Sequence, residues 1–228
     1  MKKNNNFTRE WRGFKSVQAG FTIVELMIAT LIFSIILTLI TVGVVSFTNH
    51  YYKTVHISTT QNTTRKIIDI ISQAIQFGTS SVTPTDPAKD YFCAGGYVFL
   101  YDTNGVQFTD TAGQRGLYMK PMETSICVPP TPPELTGGTQ LLGDKMRITK
   151  VAVTEQPGSL YSVDVMVVYG EDDLFCLSDT PETCAVGAAT VNSAVFYNNP
   201  NITCKTGIGS QFCAVSRLTA SVQKRITN

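Results

Sequence analysis

A single carboxylate, Glu25, stands at the mouth of a long apolar run, the 23 residues from Leu26 to Thr48, which holds no charge. At about 1.5 Å per residue that stretch makes roughly 34 Å of helix, enough for a hydrocarbon core of about 30 Å. A carboxylate at the edge of such a span costs on the order of a few kcal/mol and needs a partner. No cation of the same chain is suitably placed, apart from an amino terminus created nearby by cleavage. An amine from a second copy would serve as well and would fix the axial register between subunits. The alternative is a glutamate that simply reaches out to water.

Other reactive side chains are sparse. Cys93, Cys127, Cys176, Cys184, Cys204 and Cys213 all follow the apolar run. If that part of the chain is exported, an even number of thiols in an oxidising compartment suits three disulfides, with buried free thiols as the alternative. Nearest-neighbour pairing, 93–127, 176–184 and 204–213, is the simplest connectivity among those allowed. There is no Cys-x-x-Cys, and His50 and His56, close behind the run, read as surface residues, so a zinc site has no support. Glu171-Asp172-Asp173 could offer oxygens to calcium but lacks a spaced ligand ladder, which leaves a solvated turn as the default. Gly-x-Ser-x-Gly, phosphate-loop and His-Glu-x-x-His patterns are missing, so no catalytic residue, metal or cofactor is expected.

The element that must position Glu25 is the helix that opens beside it. Ahead of it Lys2, Lys3, Arg9, Arg12 and Lys15 face the single acid Glu10, an orientation signal that holds the N-terminus on the cytoplasmic side. The run is too long for an ordinary secretory signal and no Ala-x-Ala site follows it. The small residue that matters precedes it, at Gly20. Phe7, Trp11 and Phe14 fall on one helical face, suiting a short helix at an anionic membrane surface or else a disordered tail. Residues 1–20 carry five basic side chains and one acid, and the remainder 13 basic and 16 acidic. Bulk charge therefore gives nucleic-acid binding no support.

Gly20-Phe21-Thr22-Ile23-Val24-Glu25-Leu26-Met27-Ile28-Ala29 resembles the prepilin cleavage and methylation motif of type IV pilins and type II secretion pseudopilins. The likeness covers roughly residues 13–48 and fades beyond them to general architecture. It implies cutting between Gly20 and Phe21 by a prepilin peptidase, N-methylation of Phe21, and filament assembly around the helix that starts there. Glu25 matches the family's acidic position, similar in role to a counter-ion for a neighbouring subunit's new terminus. The partners implied are other pilin subunits, in a homo- or hetero-filament, the peptidase, a pilus or secretion assembly platform in the inner membrane, and membrane lipid before assembly. Many members carry a proline in this helix, whereas none occurs here between Phe21 and Gly78.

Thr30, Ser34, Thr38 and Thr41 form a small, weakly polar stripe along this helix. Such residues let helices approach closely and can bond across an interface, or each hydroxyl can bond its own helix's carbonyl. Behind the run, a continuous helix to Phe77, closed by Gly78, is expected, with Ile67, Ile70, Ile71, Ala74 and Ile75 as its core stripe. Tyr97 to Tyr101 and Val106 to Phe108 flank Asp102-Thr103-Asn104-Gly105 as one hairpin; Lys145 to Thr154 and Leu160 to Tyr169 flank Gln156-Pro157-Gly158 as another. Ala194 to Tyr197 reads as a strand, and alternation from Ala214 to Gln223 reads as a last, half-exposed one. Pro129 to Pro133 is a stiff surface spacer.

The expected fold class is α+β: a long N-terminal helix, half membrane and half amphipathic, packed on a mainly antiparallel sheet, pilin-like, with a disulfide-rich loop region. The expected domains are a leader over 1–20, an assembly helix over 21–48, its amphipathic continuation over 49–78, and a β-rich head over 79–228. The function implied is a structural subunit, a minor pilin of a type IV pilus-like filament, anchored in the inner membrane with its head outside. The alternatives are a type II secretion pseudopilin, or a pilus-associated adhesin or DNA-uptake subunit. A basic aromatic groove built from Lys145, Arg147, Lys150, Tyr161 and Tyr169 would favour the last of these. A signal-anchored enzyme is a further class, and it predicts that Glu25→Leu leaves function untouched.

Overall fold

The computed structural model describes residues 20–78, 80–86, 91–101, 116–122, 126–127, 138–177, 201–207 and 209–225. Residues 1–19 of the leader, 106–108, 129–133, Cys184 and 194–197 lie outside the described residues. One helix, α1, runs from Ile23 to Phe77, and the chain divides within it into two units, Met1–Ser46 and Phe47–Asn228.

In the first unit the helical residues, Ile23 to Ser46, are exposed throughout. The helix is long and apolar enough to cross a membrane, and none of its most apolar window is buried within the protein. Aliphatic and aromatic side chains all round a helix have no polar face to give water, so this surface calls for lipid or for other helices.

In the second unit α1 is one-sided. Thr60, Thr64, Ile67, Ile68, Ile71 and Ile75 are buried, a spacing of three and four that makes a single face. The threonines do not break the helix, because Thr60 donates to the His56 carbonyl at 2.7 Å and Thr64 to the Thr60 carbonyl at 2.8 Å. Each buried hydroxyl is satisfied within the helix, and the methyl group is left to pack.

Among the described residues nine strands follow: β1 (Tyr91–Ala94), β2 (Tyr97–Tyr101), β3 (Leu117–Pro121), β4 (Thr139–Gln140), β5 (Met146–Gln156), β6 (Leu160–Tyr169), β7 (Phe175–Leu177), β8 (Ile202–Cys204) and β9 (Ala214–Gln223). They form antiparallel sheets in the orders β1-β2-β3-β4, β5-β6-β9 and β7-β8. The helix isoleucines share one core with Phe92, Phe99 and Tyr101 of the first sheet and Val153, Val163, Val165 and Val167 of the second. A strap over residues 82–85 joins the two outer edges. Thr83 bonds Cys93 on β1 in both directions, through its amide (3.0 Å) and its hydroxyl (2.8 Å), and Thr85 bonds Val153 on β5 in the same way. Two edges that could template foreign strands are thereby covered.

The second expected hairpin is observed with shifted ends. Lys145 turns sharply with φ 59°, so β5 starts at Met146 and extends to Gln156. A bulge at Thr149 lets its buried hydroxyl donate to the Met166 carbonyl at 3.1 Å. The first expected hairpin is corrected. Both edges of β2 are taken, by β1 on one side and β3 on the other, and the tight turn is Gly95-Gly96, with φ of 63° and 86°. Two left-handed residues match the twist of a two-residue hairpin. That turn seats the end of α1: a Cβ on Gly95 would lie 2.3 Å from the Ala74 carbonyl oxygen, and one on Gly78 only 2.0 Å from the Gly95 Cα. Backbone meets backbone there, and only glycine permits it.

Candidate functional site

Glu25 does not hang free at the helix start. The Thr22 amide and hydroxyl donate to its Oε2 at 3.1 and 3.0 Å, and the Glu25 amide donates to the Thr22 hydroxyl at 3.2 Å. This is a reciprocal capping box, and it satisfies amides that a helix start leaves without partners. The pattern Thr22-x-x-Glu25 was visible in the sequence, and it supplies local donors beyond the cation that charge reasoning alone demanded. The negative side chain also suits the positive end of the helix dipole. Gly20 and Phe21 precede the first helical residue, outside regular structure and exposed, with Phe21 86% exposed. A peptide bond in that state can enter a protease cleft, whereas one inside the helix could not.

Along the exposed helix, Thr30 donates to the Met27 carbonyl, Ser34 to Thr30, Thr38 to Ser34 and Thr41 to Leu37, at 2.8 to 3.0 Å. Within this single chain the hydroxyls are thus satisfied internally, and what the stripe offers outward is small size. Ser34 and Thr38 stand among Leu31, Ile35, Leu37 and Ile40, all exposed.

The cysteines staple the head. Cys93 and Cys127 are bonded, Cα atoms 5.9 Å apart, and belong with Val98, Leu100 and Tyr118 to a cluster on the far face of the first sheet. Cys204 and Cys213 are bonded, Cα atoms 5.8 Å apart, and close the loop between β8 and β9. The remaining expected pair includes Cys184, outside the described residues.

That loop is fastened to α1. Lys53 Nζ donates to the carbonyls of Ser210 (2.9 Å) and Cys213 (2.7 Å). His56, expected at the surface, is instead half-buried and stacked on Tyr169 with ring centroids 4.3 Å apart, beside Phe212. Partial burial lowers the His56 pKa, with Lys145 and Lys53 adding repulsion, and burial lowers that of Lys53. These contacts join residues more than 100 positions apart in sequence, so no local pattern announces them.

The five residues of the basic aromatic groove do not come together. Lys145 pairs with Glu171 at 3.3 Å, Arg147 with Asp172, and Lys150 with Asp164 at 2.9 Å. Tyr161 belongs to the inner core, and Tyr169 stacks on His56. The same pairs occupy two of the three acids once weighed for calcium, and no cluster of three metal-ligating side chains occurs among the described residues. Asp164, which sequence reading passed over, accepts two hydrogen bonds from one edge of the Arg217 guanidinium, Nε and Nη2 (3.0 and 2.7 Å), and one from the Thr219 hydroxyl (3.3 Å). Partial burial raises its pKa, but hydrogen bonds from Arg217 and Lys150 outweigh that and hold it at about 2.

Residues 15–41 match the family model of the prokaryotic N-terminal methylation motif. No curated protein and no solved structure matches the chain. The match spans Gly20 and Phe21, the capping box and most of the exposed helix, and it supports a type IV pilin-like structural subunit.

Proposed function

We propose that this chain is a minor pilin: a prepilin cut between Gly20 and Phe21, N-methylated on Phe21, and assembled through its N-terminal helix into a type IV pilus-like filament. Its functional segments are a leader (1–20), an assembly helix (21–48), an amphipathic continuation (49–78) and a head (79–228). The observation that carries the reading is an exposed, apolar helix whose start bears one capped carboxylate inside a methylation motif. Oε2 of Glu25 is engaged by Thr22, which leaves Oε1 to accept from an amine, either the chain's own new terminus or that of a neighbouring copy. A stapled head with long loops supports a minor subunit over a bulk one. The cleavage and assembly residues would serve a type II secretion pseudopilin equally well.

The test is Glu25→Leu in the native host, with membranes and sheared filaments probed separately. The expected result is normal membrane insertion with loss of the chain from filaments. Filament incorporation at the wild-type level would overturn the reading.

A further inference from the structure

Where α1 meets the Cys204–Cys213 loop there is a groove of about 500 Å³, lined by Asn49, His50, Lys53, Gly207, Ser210 and Gln211. We propose that this groove holds the phosphate headgroup of an anionic membrane lipid. The inference rests on the membrane-anchored reading above.

Three observations bring the headgroup to this place. The first is depth. Asn49 and His50 directly follow the apolar run that ends at Thr48, so a membrane that accepts the run presents its polar layer to these residues. The second is charge. From Leu26 to Ile68 and from Thr183 to Asn228 the sequence holds no aspartate or glutamate, while Lys53, Arg65, Lys66, Lys205, Arg217, Lys224 and Arg225 fall within those stretches. Both walls of the groove come from these acid-free stretches, although the chain after residue 20 is acidic on balance. Lys53 spends two of its three N–H donors on Ser210 and Cys213, which fixes the ammonium at the groove wall with one donor to give. The third is the rim. Tyr52, next to Lys53, and Phe212, next to Gln211, are both exposed, with ring centroids 5.9 Å apart. Aromatic rings with one polar edge gather at the level of lipid headgroups. A cation, amide donors and aromatic flanks together suit a phosphate diester whose acyl chains run on beside the helix.

The full-length protein, reconstituted in vesicles of phosphatidylcholine with a minor share of phosphatidylglycerol, supplies the test. Lipids that stay bound on gentle extraction are identified by native mass spectrometry. The expected result is enrichment of phosphatidylglycerol over its share in the vesicle, unaffected by millimolar inorganic phosphate. Gln211→Glu places a carboxylate in the groove without removing the Lys53 anchor, and it should cut the enrichment about fivefold, the effect of one charge near an anionic surface. Lys66→Gln, elsewhere on the helix, should leave it unchanged. No enrichment, enrichment indifferent to Gln211→Glu, or displacement by free phosphate would each overturn the proposal while leaving the membrane anchor standing. Failure of the chain to resist alkaline extraction from the vesicles would overturn both.

Discussion

The two halves of α1 share a backbone and differ in everything else. From Ile23 to Ser46 the helix is wholly exposed and, past Glu25, apolar but for small hydroxyl residues; from Phe47 to Phe77 it carries polar residues on one side and buries Ile67, Ile71 and Ile75 completely on the other. The buried half obtains its partner from the same chain, in strands that follow it. The exposed half buries none of its most apolar window within the protein, and the hydroxyls of its small-residue stripe are already satisfied by its own carbonyls. A helix built this way is finished as a fold at one end and unfinished at the other. The difference locates where a second molecule, lipid or protein, must enter the energetics.

Ile71→Ala is the strongest way to break that contrast. Emptying a completely buried site should destabilise the head by about 3 kcal/mol, whereas Ile36→Ala on the exposed half should leave the head's denaturation midpoint where it was. Equal midpoint shifts would show that the halves do not differ as described. Gly95→Ala tests how the buried half is seated. A methyl group 2.3 Å from the Ala74 carbonyl, at φ 63°, should cost about 2 kcal/mol by the same measurement. An unchanged midpoint would mean that the helix end and the Gly95-Gly96 turn do not touch.

These positions also mark how far the sequence could be read. The helix, its uninterrupted course to Phe77, β5, β6 and β9 follow from periodicity, because each of these strands keeps one face drier than the other for much of its length. The first sheet hid itself for a physical reason. β2 is buried on both faces from Val98 to Tyr101, by the helix core on one side and the Cys93–Cys127 cluster on the other, so no alternation survives to be seen. Gly95-Gly96 carried a hairpin signal that the more polar Asp102-Thr103-Asn104-Gly105 outweighed. At the candidate site, the motif that runs from Gly20 to Glu25 was legible from type and spacing, and the capping box could have been. The Lys53 and His56 anchorage could not, since its partners arrive from the far end of the chain.

Smaller effects sharpen the picture of the head. Asp164 has its pKa lowered from 3.8 to about 2, so its contribution is complete above the ordinary carboxylate value and disappears as pH falls through 2. After discounting for solvent, Asp164→Asn should cost about 1 kcal/mol at pH 7 and close to nothing at pH 2, as measured by urea unfolding at both. A cost that persists at pH 2 would remove the ion pairs as its cause. His56, with its pKa lowered, contributes stability that is full above the ordinary histidine value and is lost as pH falls through the folded value. Between pH 7 and 5 the head should weaken by a few tenths of a kcal/mol, and His56→Gln should flatten that slope. A slope unaffected by the substitution would place the titrating group elsewhere.

The central claim is that the exposed half is released for assembly by cutting ahead of its cap. Mass spectrometry of the protein taken from its native membrane tests this most directly. A chain that begins at Phe21 and carries one methyl group on its amine is the predicted result; a chain that begins at Met1 would contradict the account.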